Sequence, residues 1–114
     1  MNLEQRTKSF ALSIIKLYQS LIPSTVSQVL GKQILRSGTS VGAQYREAKR
    51  ARSKVEFASK IDSATQEMDE TLYWLELLLE AQISPPQAIT PLHTEANEII
   101  SMLIASSRTA RSSL

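Results

Sequence analysis

The 114-residue chain has no cysteine, one histidine, three glycines, one tryptophan and two phenylalanines, and each shortage removes a class of explanation. Without cysteine there are no disulfides, thiolate zinc sites, iron–sulfur clusters or cysteine nucleophiles, and His93 alone cannot assemble a multi-histidine metal centre within one subunit. No metal or other cofactor is expected. No apolar run approaches the roughly 18 residues needed to span a bilayer. Met1–Lys8 is polar rather than the charged stub of a secretory leader, so a cytoplasmic protein without a membrane anchor is expected. With 42% hydrophobic and 21% charged residues the chain has the composition of a globular protein, and its few turn residues favour helices over a sandwich or barrel.

What is present recurs at the helical period. Phe10, Ile14, Leu17 and Leu21 form an apolar face that Pro23 terminates, and Ser24 or Thr25 suits the cap of a second helix. On that second helix, taking Lys32 as zero, Leu30, Ile34, Val41 and Ala48 lie between about 160° and 200°, and Gly31, Gly38 and Gly42 between about 240° and 280°. Each glycine costs a helix interior about 1 kcal/mol relative to alanine, a penalty offset where another helix backbone comes close. Ser53-Lys54-Val55-Glu56 has the form of a capping box and opens a third helix with the stripe Phe57, Ile61, Ala64, Met68, Leu72, Leu75 and Leu79. After Pro85-Pro86, Thr90 and Pro91 suit the cap and first turn of a last helix with the stripe Leu92, Ala96, Ile99 and Leu103. The expected helices are about 3–22, 24–52, 53–82 and 90–107, with a Ser- and Arg-rich tail that frays. Short connections make neighbours antiparallel, so residues 1–114 are expected to form one all-α, up-down-up-down four-helix bundle.

Gly38-Thr39-Ser40-Val41-Gly42 matches the G-x-S-x-G pattern of serine hydrolases, but it lies within a helical period with no strand before it and with His93 as the sole imidazole base. A hydrolase acting through Ser40 is therefore a distant alternative to a non-enzymatic protein. Charge distribution says more. Lys32, Arg36, Arg46 and Arg50 lie within about 40° of one line opposite the apolar stripe, a ridge of roughly 27 Å that would span several backbone phosphates. Residues 32–60 hold eight basic residues against Glu47 and Glu56, whereas residues 61–80 hold six acidic residues and no basic one. Either the ridge faces solvent and attracts RNA or DNA, or it is neutralised by carboxylates such as Asp62, Asp69, Glu76 and Glu80. Tyr73, Trp74 and Leu77 lie far from the buried line of the third helix and, with Gly38 and Gly42, are the expected surface for a homo-oligomer; a scaffold that binds another protein there is the alternative function.

The run Leu30-Gly31-Lys32-Gln33-Ile34-Leu35-Arg36-Ser37-Gly38-Thr39-Ser40-Val41-Gly42-Ala43-Gln44-Tyr45-Arg46-Glu47-Ala48 closely resembles the four-helix-bundle proteins encoded in intervening sequences of bacterial 23S ribosomal RNA genes. Arg50-Ala51-Arg52-Ser53, Glu56-Phe57 and Asp69-Glu70-Thr71-Leu72-Tyr73-Trp74-Leu75-Glu76-Leu77-Leu78 are similar to later blocks of the same family, with Gln44 standing where the family often has Asn. The resemblance implies a bacterial origin and an antiparallel four-helix bundle that assembles as a ring, a homopentamer, and it does not imply an enzyme. Through the related accessory variability determinant of diversity-generating retroelements, it also implies a positively charged surface offered to nucleic acid. Lys32, Arg36, Arg46, Arg50 and Arg52 are the residues here that answer to such a surface.

Overall fold

The computed structural model describes residues 1–114 and contains four helices: α1 (Leu3–Ser20), α2 (Thr25–Lys49), α3 (Lys54–Glu80) and α4 (Pro86–Ser112). Contacts between neighbouring helices give their directions. Along α1 and α2, Thr7 meets Gly42, Ile14 meets Gly38, and Tyr18 meets Gly31. Along α2 and α3, Glu47 pairs with Lys60, and Arg36 with Glu67 and Glu70. Along α3 and α4, Lys54 bonds Ser113, Asp62 bonds Ser107, and Glu76 meets His93. In each pair one number rises as the other falls, which is the antiparallel order expected of short connections, and the result is a rod of 48 × 21 × 20 Å.

Local signals start and stop the helices. Asn2 and Gln5 cap α1 reciprocally, the Asn2 Oδ1 accepting the Gln5 N–H at 2.8 Å and the Gln5 Oε1 accepting the Asn2 N–H at 3.1 Å. Ser24 and Ser27 do the same for α2. Only half of the capping box expected at α3 forms. The Ser53 hydroxyl accepts the Glu56 N–H, while the Glu56 carboxylate takes the N–H of Arg52 rather than that of Ser53. Helix α3 ends at Glu80, two residues before the expected boundary. Gln82 there adopts φ 60°, its N–H bonds the Leu79 carbonyl, and the Ile83 N–H bonds that of Leu78, a left-handed C-terminal cap.

The last helix differs most from its expectation. It begins at Pro86 rather than Thr90, with Pro86 in the first turn and Pro91 inside the helix, and it continues to Ser112 instead of fraying after residue 107. Proline at the first position loses no helical hydrogen bond. The extra turn carries Ile89, which is 1% exposed, into the core.

The core is one cluster in which Ile14, Ile34, Val41, Ile61, Met68, Leu75, Ile99 and Leu103 are fully enclosed, following the stripes read from the sequence. One polar contact lies within it: the hydroxyls of Ser37 and Thr71, both fully buried, are hydrogen-bonded at 2.8 Å between α2 and α3. The glycine line is filled from within the chain. A Cβ on Gly38 would stand 2.9 Å from Ile14 Cγ1, and one on Gly31 would stand 3.0 Å from Leu21 Cδ1 and the Tyr18 ring. Gly38 is therefore buried beneath α1, whereas Gly42 is half-buried beside Thr7 and opens onto the surface between the two helices.

Gly38→Val should force Ile14 outward and lower stability by about 2 kcal/mol, within the range for overpacked cores, with a fall in thermal midpoint of about 5–15 °C. Thermal circular dichroism measures this. A variant that melts with the parent would show that α1 is not held at this contact.

Candidate nucleic-acid interface

The bundle gathers charge from all four helices at one end. Residues 1–9, 44–64 and 104–114 contain ten basic residues, Arg6, Lys8, Arg46, Lys49, Arg50, Arg52, Lys54, Lys60, Arg108 and Arg111, against Glu4, Glu47, Glu56 and Asp62, a net of +6. The rest of the chain, with Lys16, Lys32 and Arg36 against seven carboxylates, carries −4. Antiparallel packing produces this separation, since it places the end of α2, the start of α3, the start of α1 and the end of α4 at the same level. The sequence shows the α2 cluster directly. It does not show that Lys8, Arg108 and Arg111 join it, because the tail that carries the last two reads as frayed.

Ion pairs sort these residues. Lys49 pairs with Glu4 at 3.2 Å, Lys60 with Glu47 at 2.9 Å, and Arg111 with Asp62. Arg6 spans the α1–α4 seam, donating to Glu95 at 2.6 Å and to Glu98 at 3.1 Å, and these bonds raise its pKa beyond its already high value. Lys8, Arg46, Arg50, Arg52, Lys54 and Arg108 have no carboxylate within ion-pair distance.

The ridge expected along α2 is thus discontinuous in free charge. Lys32, Arg46 and Arg50 are exposed and unpaired, but Arg36 is held by Glu70 at 2.7 Å and Glu67 at 3.3 Å. The Arg36 guanidinium lowers the pKa of Glu70, assisted by the Trp74 indole N–H, and Glu70 in turn raises that of Arg36. Of the carboxylates named as neutralising partners, Asp62 engages Arg111 and Glu76 engages His93, while Asp69 and Glu80 engage no basic residue. Lys32, like the unpaired Lys16, lies in the acidic part of the rod, about 21 Å along the helix axis from Arg46.

Between α1 and α2 the basic end is indented. A groove of about 440 Å³ is lined by Lys8, Arg46 and Arg50, with Glu4, Glu47 and the small residues Ala11, Gly42 and Ala43. On the α3 side of α2, the Gln44 Oε1 is buried without a hydrogen-bond partner, and nothing in the structure offsets that cost.

The aromatic cluster divides. Tyr73 is 55% exposed and meets Trp74 edge to face at 5.1 Å, whereas Trp74 and Leu77 are half-buried, Trp74 lying against the core. Val26 and Val29, near the start of α2, are exposed as well. At Ser40 the hydroxyl donates to the Arg36 carbonyl of its own helix at 2.6 Å. His93 faces Glu76 and Asn97, roughly 12 Å further along the rod if α2 and α3 keep the register of Ser37 and Thr71. No nucleophile–base pair forms there.

The family model described as "23S rRNA-intervening sequence protein" matches residues 1–105. Among solved structures, the chain is similar to a protein of unknown function from the S23 ribosomal protein family of Bacteroides thetaiotaomicron. The two are 38% identical with a TM-score of 0.86, over 91% of this chain and 96% of that one. No curated protein matches it.

The Arg36–Glu70 pair yields a pH test. Because the carboxyl pKa is lowered on folding, the pair stabilises fully above the ordinary value of 4.5 and loses that contribution as pH falls through the lowered value. Glu70→Gln should therefore be less stable than the parent at pH 7, by no more than about 1 kcal/mol given solvent screening, and the gap should close at acid pH. Urea denaturation at both pH values would contradict the assignment if the gap stayed constant.

Proposed function

The chain belongs to the 23S rRNA-intervening sequence protein family, and from that premise we propose that it is a non-enzymatic helical bundle that holds the sugar-phosphate backbone of RNA or DNA at its basic end. The observation that carries the reading is the set of unpaired cations at that end, Lys8, Arg46, Arg50, Arg52, Lys54 and Arg108, in a chain whose other charges are largely paired. Exposed cations that release counterions from phosphates supply most of the affinity in sequence-independent binding. Arg36, neutralised by two glutamates, and Lys32, isolated among carboxylates, are left outside the contact surface.

Side-by-side assembly belongs to the same reading. Tyr73, Val26 and Val29 are exposed apolar residues available to a second copy, and copies arranged in parallel, in the pentameric ring that the family resemblance implies, would multiply the positive charge at one face. These exposed apolar residues also favour the second reading, a scaffold for another protein.

Anisotropy of a labelled RNA or DNA should show affinity falling steeply with salt. Arg46→Ala, Arg50→Ala and Arg52→Ala combined should weaken binding uniformly across sequences and reduce the salt slope by about one for each phosphate no longer neutralised. Binding indifferent to both would reject backbone contact. Tyr73→Asp should lower the mass found by sedimentation; a parent chain that is monomeric at micromolar concentration would remove the assembly.

A further inference from the structure

We infer that the groove between α1 and α2 is a phosphate cradle that takes two or three consecutive phosphates of a single extended strand, an inference that rests on the backbone-binding reading above. The groove has two carboxylates, and each is already engaged by a lysine that does not line it. Glu4 is held by Lys49 and Glu47 by Lys60. Lys8 on one wall and Arg46 and Arg50 on the other are left without anionic partners. Arg46 and Arg50 are one turn apart, about 6 Å along α2, which is the order of the spacing between successive phosphates of an extended strand.

The floor explains the depth. Ala11, Gly42 and Ala43 carry no atom beyond Cβ, so the space between the cationic walls stays open. The Thr39 hydroxyl donates to the Leu35 carbonyl at 2.8 Å and is not a free donor, so charge provides the recognition. No aromatic residue lines the groove and no stacking platform is present, which leaves bases outside and makes binding indifferent to sequence. A volume of about 440 Å³ admits the phosphates of one strand.

Isothermal titration with tripolyphosphate tests the cradle, and a labelled single-stranded RNA beside a hairpin duplex tests its natural ligand. Lys8→Ala and Arg46→Ala should each weaken tripolyphosphate about tenfold or more, as loss of a charge-assisted hydrogen bond does. Ala43→Glu, at an exposed position where folding is checked by circular dichroism, should abolish it. Arg52→Ala and Arg108→Ala, at the basic end but outside the groove, should leave it unchanged. Ala43→Glu should also weaken the single strand far more than the hairpin. The cradle is overturned if tripolyphosphate does not bind, if Arg52→Ala and Arg108→Ala weaken it as much as Lys8→Ala does, or if Ala43→Glu leaves the single strand bound as before. In those cases backbone binding still stands wherever the Arg46, Arg50 and Arg52 substitutions weaken the RNA. Tripolyphosphate binding with no RNA or DNA binding would overturn the strand as ligand and the backbone reading with it.

Discussion

The close approach of α1 to the glycine line of α2 is the contact on which the rest of the architecture depends. Ile14 and Tyr18 occupy the places that side chains on Gly38 and Gly31 would fill, so an 18-residue helix is held by shape as well as by apolar area. The same line sets the form of the basic end. Where the spacing relaxes, at Gly42 and Thr7, the two helices leave the indentation that Lys8, Arg46 and Arg50 surround. Three glycines that weaken α2 as an isolated helix by roughly 1 kcal/mol each thus determine both its packing and the relief of its surface.

Charge is arranged by topology more than by any one helix. Residues 32–60 are strongly basic and residues 61–80 strongly acidic, yet the two blocks do not simply cancel, because antiparallel packing opposes Arg36 to Glu67 and Glu70 while leaving Arg46, Arg50 and Arg52 beside the start of α1 and the end of α4. Pairing takes Arg36 near the middle of the rod and Arg6, Lys49, Lys60 and Arg111 at its end. Six further cations at that end remain free, which gives the molecule a pronounced axial polarity.

Much of the fold is legible in the sequence because periodicity reports burial directly. Ile14, Ile34, Val41, Ile61, Met68, Ile99 and Leu103 lie where their spacing places them, and the glycine line is a site of close approach, as its pattern implies. Its partner is not legible, since a periodic pattern says that a face is covered without saying by what. The start of α4 is ambiguous in the sequence because Thr90-Pro91 is as good a local signal as Pro85-Pro86, and only the need to bury Ile89 decides between them. The basic end is half legible: Arg46, Arg50 and Arg52 are close together in the chain, but Lys8 and Arg108 join them only through tertiary structure. The engagement of Arg36 is hidden for the same reason.

The hydroxyl pair between Ser37 and Thr71 has a consequence for how α2 and α3 can move. Sliding one helix past the other by a single turn would leave Thr71 bonded to the Glu67 carbonyl of its own helix at 2.8 Å but would take from Ser37 its only side-chain partner, at a cost of about 1–3 kcal/mol for the unsatisfied group. The pair therefore acts as a detent: it adds little to the depth of the energy well but makes it narrow, so that the two charged surfaces keep a fixed alignment along the rod.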